Sequence, residues 1–184
     1  SKIGKTKSKN GQIALQFSTY LCNIEEYKNW MNMNAKIEVR KMPSLQLAYV
    51  THVGAFHLIG DAFKKLMRWA GPKGLSQCET ITVYHDDPNI TDISQVRQAA
   101  GLILNAPIET SGEVSTMQVE HGKFAVGTFE LSYSDFEKAW QSMFVWINEN
   151  GYETSTKDCY QIYRNQPNQD SRGKSLVEIC VPVK

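Results

Sequence analysis

The order of the predicted secondary-structure elements repeats once along this chain of 184 residues. In each half two strands are followed by one helix and two further strands, over about residues 35–108 and 112–184. One such unit cannot bury both its helix and a face of its sheet well, so we expect the two units to pack together. The repeat therefore predicts an α+β fold with a mainly antiparallel sheet of about eight strands and two main helices. It also predicts a pseudo-twofold axis and a cleft between the halves.

The helix of the first half is predicted over residues 55–70, where apolar side chains recur at helical spacing. Its stripe consists of Phe56, Ile59, Phe63 and Leu66. We expect it to end with Gly71 in the left-handed conformation, followed by Pro72, which cannot continue a helix. β-Branched and apolar residues between turn signals predict four strands around it: Lys36–Lys41, Leu45–Val53, Thr80–His85 and Ala99–Leu104.

The helix of the second half is predicted to begin with a capping box formed by Ser134 and Glu137. Gly151 is expected at its C-terminal end. Its apolar stripe consists of Phe136, Trp140, Met143, Phe144 and Ile147. The strands of this half are predicted at Ser115–Val119, Lys123–Glu130, Tyr160–Tyr163 and Leu176–Val183.

Residues 1–34 differ from the rest, and we interpret them as a linker or a docked N-terminal extension of a domain that spans residues 35–184. Four lysines and no acidic residue occur in the first ten positions, which is typical of a solvated segment. A short alternating run then predicts a strand, and three aromatic residues offer surface for docking. The run consists of Ile13, Leu15 and Phe17, and the aromatic residues are Tyr20, Tyr27 and Trp30.

Composition excludes several classes of protein. A formal net charge of +1 provides no bulk attraction to nucleic acid or to an anionic membrane. No apolar run reaches the roughly 18 residues of a spanning helix, and the first residues lack the apolar core of a signal peptide. We therefore expect a cytoplasmic location, no membrane partner and reduced cysteines.

Neither a metal nor a cofactor is expected, because no zinc-ligand spacing, P-loop or dinucleotide-binding fingerprint occurs. His52 and His57 flank Gly54 without a third ligand, so we interpret them as structural histidines. His85-Asp86-Asp87 is interpreted as part of a turn, with Arg97 as an ion-pair partner of its acidic residues.

Five segments together resemble the GyrI-like small-molecule-binding domains over about residues 35–184. They are EVRKMPSLQLAYVTHVGAF (38–56), ITVYHDDPNIT (81–91), GKFAVGTFEL (122–131), CYQIYRNQP (159–167) and EICVPVK (178–184). The resemblance implies a tandem ββαββ fold with a ligand cleft between the halves. Such domains form the C-terminal part of AraC-type transcription regulators, and others stand alone, including a gyrase inhibitor.

The N-terminal run IGKTKSKNG also resembles the linker that follows the DNA-binding region of AraC-type regulators. It implies that DNA would be bound only through a helix-turn-helix region outside this sequence. Whether the chain forms a homodimer stays open.

Gln161 departs from the pattern of the family. Members that bind cations or hydrolyse electrophiles carry a glutamate in a Tyr-Glu-Ile-Tyr run, where this chain has Tyr160-Gln161-Ile162-Tyr163. A glutamine can neither act as a general base nor balance a buried cation. The sequence therefore favours a binding domain over an enzyme, with no catalytic residue assigned.

We expect the ligand cleft to be lined by aromatic side chains together with a few polar ones. The candidates are Phe56, Phe63, Phe136, Trp140, Phe144, Gln161, Tyr163 and Glu178. Gln161 and Tyr163 share one strand face, which is either the cleft or a solvated face. Alternation places Glu178 opposite Val177 and Ile179, so it faces either the cleft, where it would replace the missing carboxylate, or solvent. The helix aromatics are alternatively ordinary core residues.

Three functions remain in competition. The first is the effector-binding domain of a bacterial AraC-type regulator that binds an amphipathic ligand. The second is a stand-alone inhibitor or sequestering protein. The third is a hydrolase of electrophilic small molecules, for which Glu178 and Tyr163 form the fallback catalytic pair.

Overall fold

Eight strands form one antiparallel sheet, and helices pack against one of its faces. The computed structural model describes residues 24–87, 90–165 and 172–184. In chain order the helices and strands are α1 (Ile24–Asn34), β1 (Ala35–Met42), β2 (Leu45–Val53), α2 (Gly60–Ala70), β3 (Thr80–Tyr84), β4 (Arg97–Leu104), β5 (Ser115–Val119), β6 (Gly122–Leu131), α3 (Phe136–Glu149), β7 (Cys159–Tyr163) and β8 (Ser175–Pro182). The predicted α+β class and the tandem ββαββ order are confirmed.

The strand order carries the predicted pseudo-twofold symmetry. It runs β1-β6-β8-β7-β3-β4-β2-β5. If each strand of the first half is replaced by its counterpart in the second (β1 by β5, β2 by β6, and so on) and the reverse, the same order is obtained, read backwards. The axis therefore passes between β3 and β7. The outermost strands are exchanged between the halves, because β1 pairs with β6 and β5 pairs with β2.

The short β1–β2 connection forces the sheet to curl. Only Pro43 and Ser44 separate β1 from β2, although these strands occupy the first and seventh positions of the sheet. In a flat sheet they would lie about 29 Å apart at about 4.8 Å per strand. A two-residue connection spans only about 11 Å. The ends of the sheet must therefore approach each other, which leaves one concave and one convex face.

Side chains from both ends of the sheet pack together on the concave face. Met42 and Phe124, near one end, join the same buried cluster as Leu47 and Val119, near the other. This contact is the packing consequence of the curl, and it makes the concave face part of the core.

Both main helices lie on the convex face. α2 packs on β2 and β4, and α3 packs on β6 and β8. Under α2 the sheet contributes small or branched residues such as Ala48, Ala100 and Leu102, and under α3 it contributes Ala125, Val177 and Ile179. The central pair, β3 and β7, is left between the two helices.

The predicted helix ends need two corrections. Gly71 is not left-handed: it has φ −53° and continues into a 3₁₀ turn, and the left-handed glycine is Gly74 at φ 71°. Pro72 is tolerated there because it stands at the start of that turn, where no amide donor is needed. The capping box consists of Ser132 and Asp135, not Ser134 and Glu137, because a 3₁₀ turn precedes α3.

α1 was not predicted as a helix, and it docks on α3. Trp30 stacks on Phe129 with ring centroids 6.0 Å apart, and the Tyr27 hydroxyl donates to the Gln141 side chain. Lys138 of α3 lies 5.9 and 5.8 Å from the Tyr27 and Trp30 rings, within cation–π range. The strand predicted at residues 13–17, and Tyr20, lie outside the described residues.

None of the helices in the described part of the chain is both long and apolar enough to span a bilayer. The described cysteines, Cys78, Cys159 and Cys180, are free thiols.

Candidate functional site

The central strand pair, β3 and β7, lies between α2 and α3 on the convex face of the sheet. Thr82 of β3 pairs with Gln161 of β7, and Tyr84 lies opposite Cys159. Thr82 also pairs with Ala100, which packs under α2, so these floor residues face the helices. Gln161 therefore lies beside the pseudo-twofold axis, at the centre of the molecule. We call this region the groove.

A chain of hydrogen bonds joins Trp140, Gln161 and Tyr163 in the groove. The Trp140 indole Nε1 donates to Gln161 Oε1 at 2.9 Å, and Gln161 Nε2 donates to the Tyr163 hydroxyl at 2.9 Å. Trp140 is 6% exposed and Gln161 is 5% exposed. An indole N–H can only donate, so the amide oxygen of Gln161 must point to Trp140. The buried amide is thus held in one orientation.

Aromatic rings extend from this centre to both ends of the groove. Tyr84 meets Trp140 edge to face with centroids 5.3 Å apart, and it meets Phe56 at 5.6 Å. At the other end, the Phe136 and Tyr163 centroids are 6.1 Å apart. Such pairs are each worth about 0.5–1.5 kcal/mol beyond the burial of their area. The groove therefore has aromatic side chains on both sides of one amide.

The groups in the groove favour binding over proton transfer. Burial raises the pKa of both the Tyr84 and the Tyr163 hydroxyl above the usual value, so both phenols keep their protons at neutral pH. Gln161 does not titrate. Burial also raises the pKa of the Cys159 thiol, which removes it as a thiolate nucleophile. This set of side chains can hold and orient a molecule, but it offers no general base.

Glu178 lies on the other face of the sheet. Val177 and Ile179 pack under α3, so the alternation of β8 turns Glu178 to the concave side. There it accepts from Arg40 Nη2 at 2.7 Å and from Arg164 Nη2 at 2.6 Å. Burial acts to raise the pKa of Glu178, but the hydrogen bonds from the two arginines outweigh it, and the pKa lies below its usual value.

The structure therefore does not bring Glu178 together with Gln161 or Tyr163. The predicted replacement of the missing carboxylate, and the fallback pair of Glu178 and Tyr163, fail on this geometry. The reason is that the helices cover the convex face of the sheet, whereas the concave face is enclosed by the curled sheet itself. Alternation along β8 places Glu178 on the concave face.

The remaining candidates fall into two groups. Phe136 and Trp140 contact the floor of the groove, and Phe56 joins it through Tyr84. Phe63 packs against the core beneath α2, and Phe144 is buried in the core beneath α3. For these last two, the alternative of an ordinary core position describes the contacts that the structure shows.

Tyr84 is the groove residue that sequence reasoning missed. An internal repeat marks it: Thr82-Val83-Tyr84-His85-Asp86 is followed 79 residues later by Gln161-Ile162-Tyr163-Arg164-Asn165, and a proline follows two positions beyond each run. Tyr84 and Tyr163 are thus equivalent residues of the two halves. The repeat is weak at the sequence level, because only the tyrosine and the proline are identical.

Two of the described histidines form hydrogen-bonded contacts within the domain. His52 Nε2 lies 2.8 Å from the Ala55 carbonyl oxygen, and His85 Nδ1 lies 2.7 Å from Asp158 Oδ2. The predicted pairing of Arg97 with the acidic turn is confirmed, since its Nε and Nη2 donate to Asp86 at 2.8 and 2.9 Å. Within residues 24–87, 90–165 and 172–184, no three His, Cys, Asp or Glu side chains are placed to hold a metal.

Comparisons with known proteins identify sequence relatives and solved structures with the same fold. DNA gyrase inhibitor 2 of Dickeya dadantii is 33% identical over 111 residues, which cover 59% of this chain and 71% of that protein. Two solved structures share the fold. They are the EcmrR–DNA complex (TM-score 0.66, 16% identity, 93% of this chain and 67% of that chain) and SAV2435 bound to tetraphenylphosphonium (TM-score 0.54, 12% identity, 81% and 94%).

The sequence profile of the GyrI-like small-molecule-binding domain matches residues 35–184. That range contains all eight strands and both helices that border the groove. The chain therefore belongs to the family of GyrI-like small-molecule-binding domains.

Proposed function

We propose that the groove binds a small amphipathic molecule and that the chain is the effector-binding domain of a bacterial AraC-type transcription regulator. The observation that carries this proposal is the buried Gln161 amide. It lies beside the pseudo-twofold axis between aromatic walls and is held by Trp140 and Tyr163. Ligand sites of this kind combine a mostly apolar lining with a few oriented polar groups.

The position of α1 supports a regulatory role. α1 runs directly into β1 and packs on α3, the helix that carries Trp140 into the groove. Tyr27 bonds to Gln141, the residue next to Trp140. A ligand that displaces Trp140 would therefore shift the surface on which α1 rests. Such a ligand regulates only if it binds one position of α3 more tightly than the other.

The N-terminal segment and one structural neighbour support a link to DNA. IGKTKSKNG resembles the linker that follows an AraC-type DNA-binding region. The chain also shares its fold with about two thirds of EcmrR, a protein whose structure was solved in complex with DNA. In this proposal DNA contact belongs to a helix-turn-helix region outside residues 1–184, and the groove controls it.

A thermal-shift experiment on residues 1–184 tests the binding role. A probe that binds only the native state raises the melting temperature by mass action. We expect triphenylphosphine oxide, a neutral aromatic probe, to do so, and Trp140→Leu to abolish the shift. Trp146→Leu is the matched control, because this tryptophan lies on the same helix but stacks on Tyr152. A shift that survives in Trp140→Leu contradicts a site in the groove, as does the absence of any shift in the wild type.

A stand-alone inhibitor is the second candidate, favoured by the 33% identity to a protein named DNA gyrase inhibitor 2. Under the regulator proposal, residues 1–184 bind the probe but neither bind DNA at physiological salt nor inhibit gyrase. A helix-turn-helix encoded upstream of Ser1 supports the regulator. A reading frame that starts near Ser1, together with inhibition in a supercoiling assay, supports the inhibitor.

A further inference from the structure

Trp140 determines the direction of each hydrogen bond in the groove. Because its indole N–H is a donor only, Gln161 must present Oε1 to it and therefore presents Nε2 to Tyr163. The amide N–H of Gln161 donates, so the Tyr163 oxygen is the acceptor of that bond. The order of donation is thus Trp140 to Gln161 to Tyr163.

The Tyr163 hydroxyl can then donate its own hydrogen bond to another group. A phenol carries one donor in addition to its acceptor capacity, and Gln161 uses only the latter. Among the described residues the hydroxyl has one hydrogen-bond partner, Gln161. The Tyr163 side chain is half-buried on the floor of the groove, beside the Phe136 ring. Its hydroxyl therefore offers a hydrogen-bond donor to a molecule in the groove.

We propose that the groove selects neutral aromatic ligands that carry a hydrogen-bond acceptor, and that Tyr163 is the residue that donates to this acceptor. This inference rests on the proposed binding function of the groove and names the ligand class that it takes. Suitable acceptors are the oxygens of carbonyl, amide, sulfoxide and phosphine oxide groups, attached to aromatic rings that pack against Tyr84, Trp140 and Phe136.

The same geometry acts against cations. The side chains named above as lining the groove are neutral: Phe56, Tyr84, Phe136, Trp140, Gln161 and Tyr163. Glu178 is engaged by two arginines on the opposite face of the sheet. A cation that left water for the groove would lose its hydration without meeting a counter-charge on these lining side chains. The aromatic faces would compensate for only part of this loss.

Replacing the Gln161 amide by a carboxylate reverses the polarity of the site. A carboxylate only accepts, so it would accept hydrogen bonds from both the Trp140 indole and the Tyr163 hydroxyl. Tyr163 would then have no donor left for the ligand, while the groove would gain a negative charge. We therefore expect the Gln161→Glu variant to prefer cations, whereas the wild type prefers neutral ligands with an acceptor.

Two probes of similar shape test the inference on residues 1–184. Triphenylphosphine oxide is neutral and carries an acceptor, and tetraphenylphosphonium is a cation without one. Titration calorimetry should show at least tenfold tighter binding of the oxide to the wild type. Tyr163→Phe should weaken the oxide about 3- to 10-fold, the effect of one hydrogen bond, and leave the phosphonium unchanged. Gln161→Glu should weaken the oxide and tighten the phosphonium.

Tyr49→Phe is the matched control, because it removes a hydroxyl from the concave face and should alter neither affinity. Equal or tighter binding of tetraphenylphosphonium to the wild type would overturn the ligand class. An unchanged oxide affinity in Tyr163→Phe would overturn the donor role. Either result leaves the binding function of the groove standing, whereas failure of both probes to bind the wild type overturns both proposals.

Discussion

Asp86 and Asn165 occupy equivalent positions in the two halves and perform the same task. Each side chain accepts from a backbone amide at the start of the following strand: Arg97 N at 2.9 Å for Asp86, and Leu176 N at 2.8 Å for Asn165. Only the aspartate also forms an ion pair, with the Arg97 guanidinium. Hydrogen bonding to Arg97 lowers the pKa of Asp86 to about 2.

This comparison predicts the effect of Asp86→Asn. Asparagine should keep the backbone contact, as it does at position 165, and lose only the ion pair. A carboxyl whose pKa is lower in the folded state stabilises the fold above its unfolded pKa, about 3.9, and loses that effect as pH falls toward about 2. The Arg97 side chain is 61% exposed, so we expect a loss of at most about 1 kcal/mol at pH 7.

Urea denaturation at pH 7, 4 and 3 measures this prediction. The difference in the free energy of unfolding between wild type and Asp86→Asn should be largest at pH 7 and should shrink at pH 4 and again at pH 3. A difference that stays constant over this range would show that the ion pair is not its cause.

At the scale of elements, the contact between α3 and the sheet depends on one missing side chain. Gly127 lies in β6 beneath α3, and a Cβ there would overlap the Met143 sulfur and the Phe129 ring. Both neighbours are buried in the core. Glycine at this position therefore allows the close approach of helix and strand, and it sets the height at which α3 carries Trp140 over Gln161.

Gly127→Ala should destabilise the fold by about 1–3 kcal/mol, the usual cost of overpacking a core. It should also change the near-ultraviolet circular dichroism of the buried tryptophan, because α3 has to move. Gly60→Ala is the control: it lies at the start of α2, a Cβ there meets nothing within 4 Å, and alanine should be neutral or slightly stabilising. Equal stability of the two variants would refute the close-approach argument.

At the scale of the whole molecule, the halves are joined by exchanged edge strands and by two equivalent side-chain pairs. Arg164 Nη1 bonds Glu79 at 2.6 Å at one end of the β3–β7 seam, and His85 bonds Asp158 at 2.7 Å at the other. Each pair joins one half to the other, and its members lie 79 residues from their counterparts. The concave core is likewise built from both halves.

Fragments 35–108 and 112–184 should therefore be unfolded when separate and should fold when mixed. The first lacks the partner of β1, and the second lacks the partner of β5. Each fragment would also expose its part of the concave core, which a chain of this size cannot compensate by other burial. Circular dichroism of each fragment and of the equimolar mixture measures this. Cooperative unfolding of either fragment alone would contradict the shared-core interpretation.

Local sequence patterns were enough to predict most of the elements and the faces of their residues. Leu45–Val53 and Ser115–Val119 have the predicted bounds, and alternation along β8 correctly separated Glu178 from Val177 and Ile179. These properties follow from the backbone geometry of neighbouring residues, which repeats every two residues in a strand and every 3.6 in a helix. The helix ends were less predictable, because 3₁₀ turns at Phe56–Leu58, Gly71–Lys73 and Tyr133–Asp135 extend or shift them.

The face of the sheet that carries the groove could be identified from the folded chain alone. The two-residue period of a strand predicts that Glu178 and Val177 lie on opposite faces of the sheet. It does not predict which of these faces the helices cover. That choice depends on the closure of the sheet, where a two-residue link joins strands six positions apart and turns one face into core. The groove residues are also brought together by non-local contacts, because Tyr84 and Gln161 become neighbours only when β3 pairs with β7. Trp140 and Tyr163 complete the group. Contacts of this range depend on the burial of the whole chain, so no local pattern encodes them.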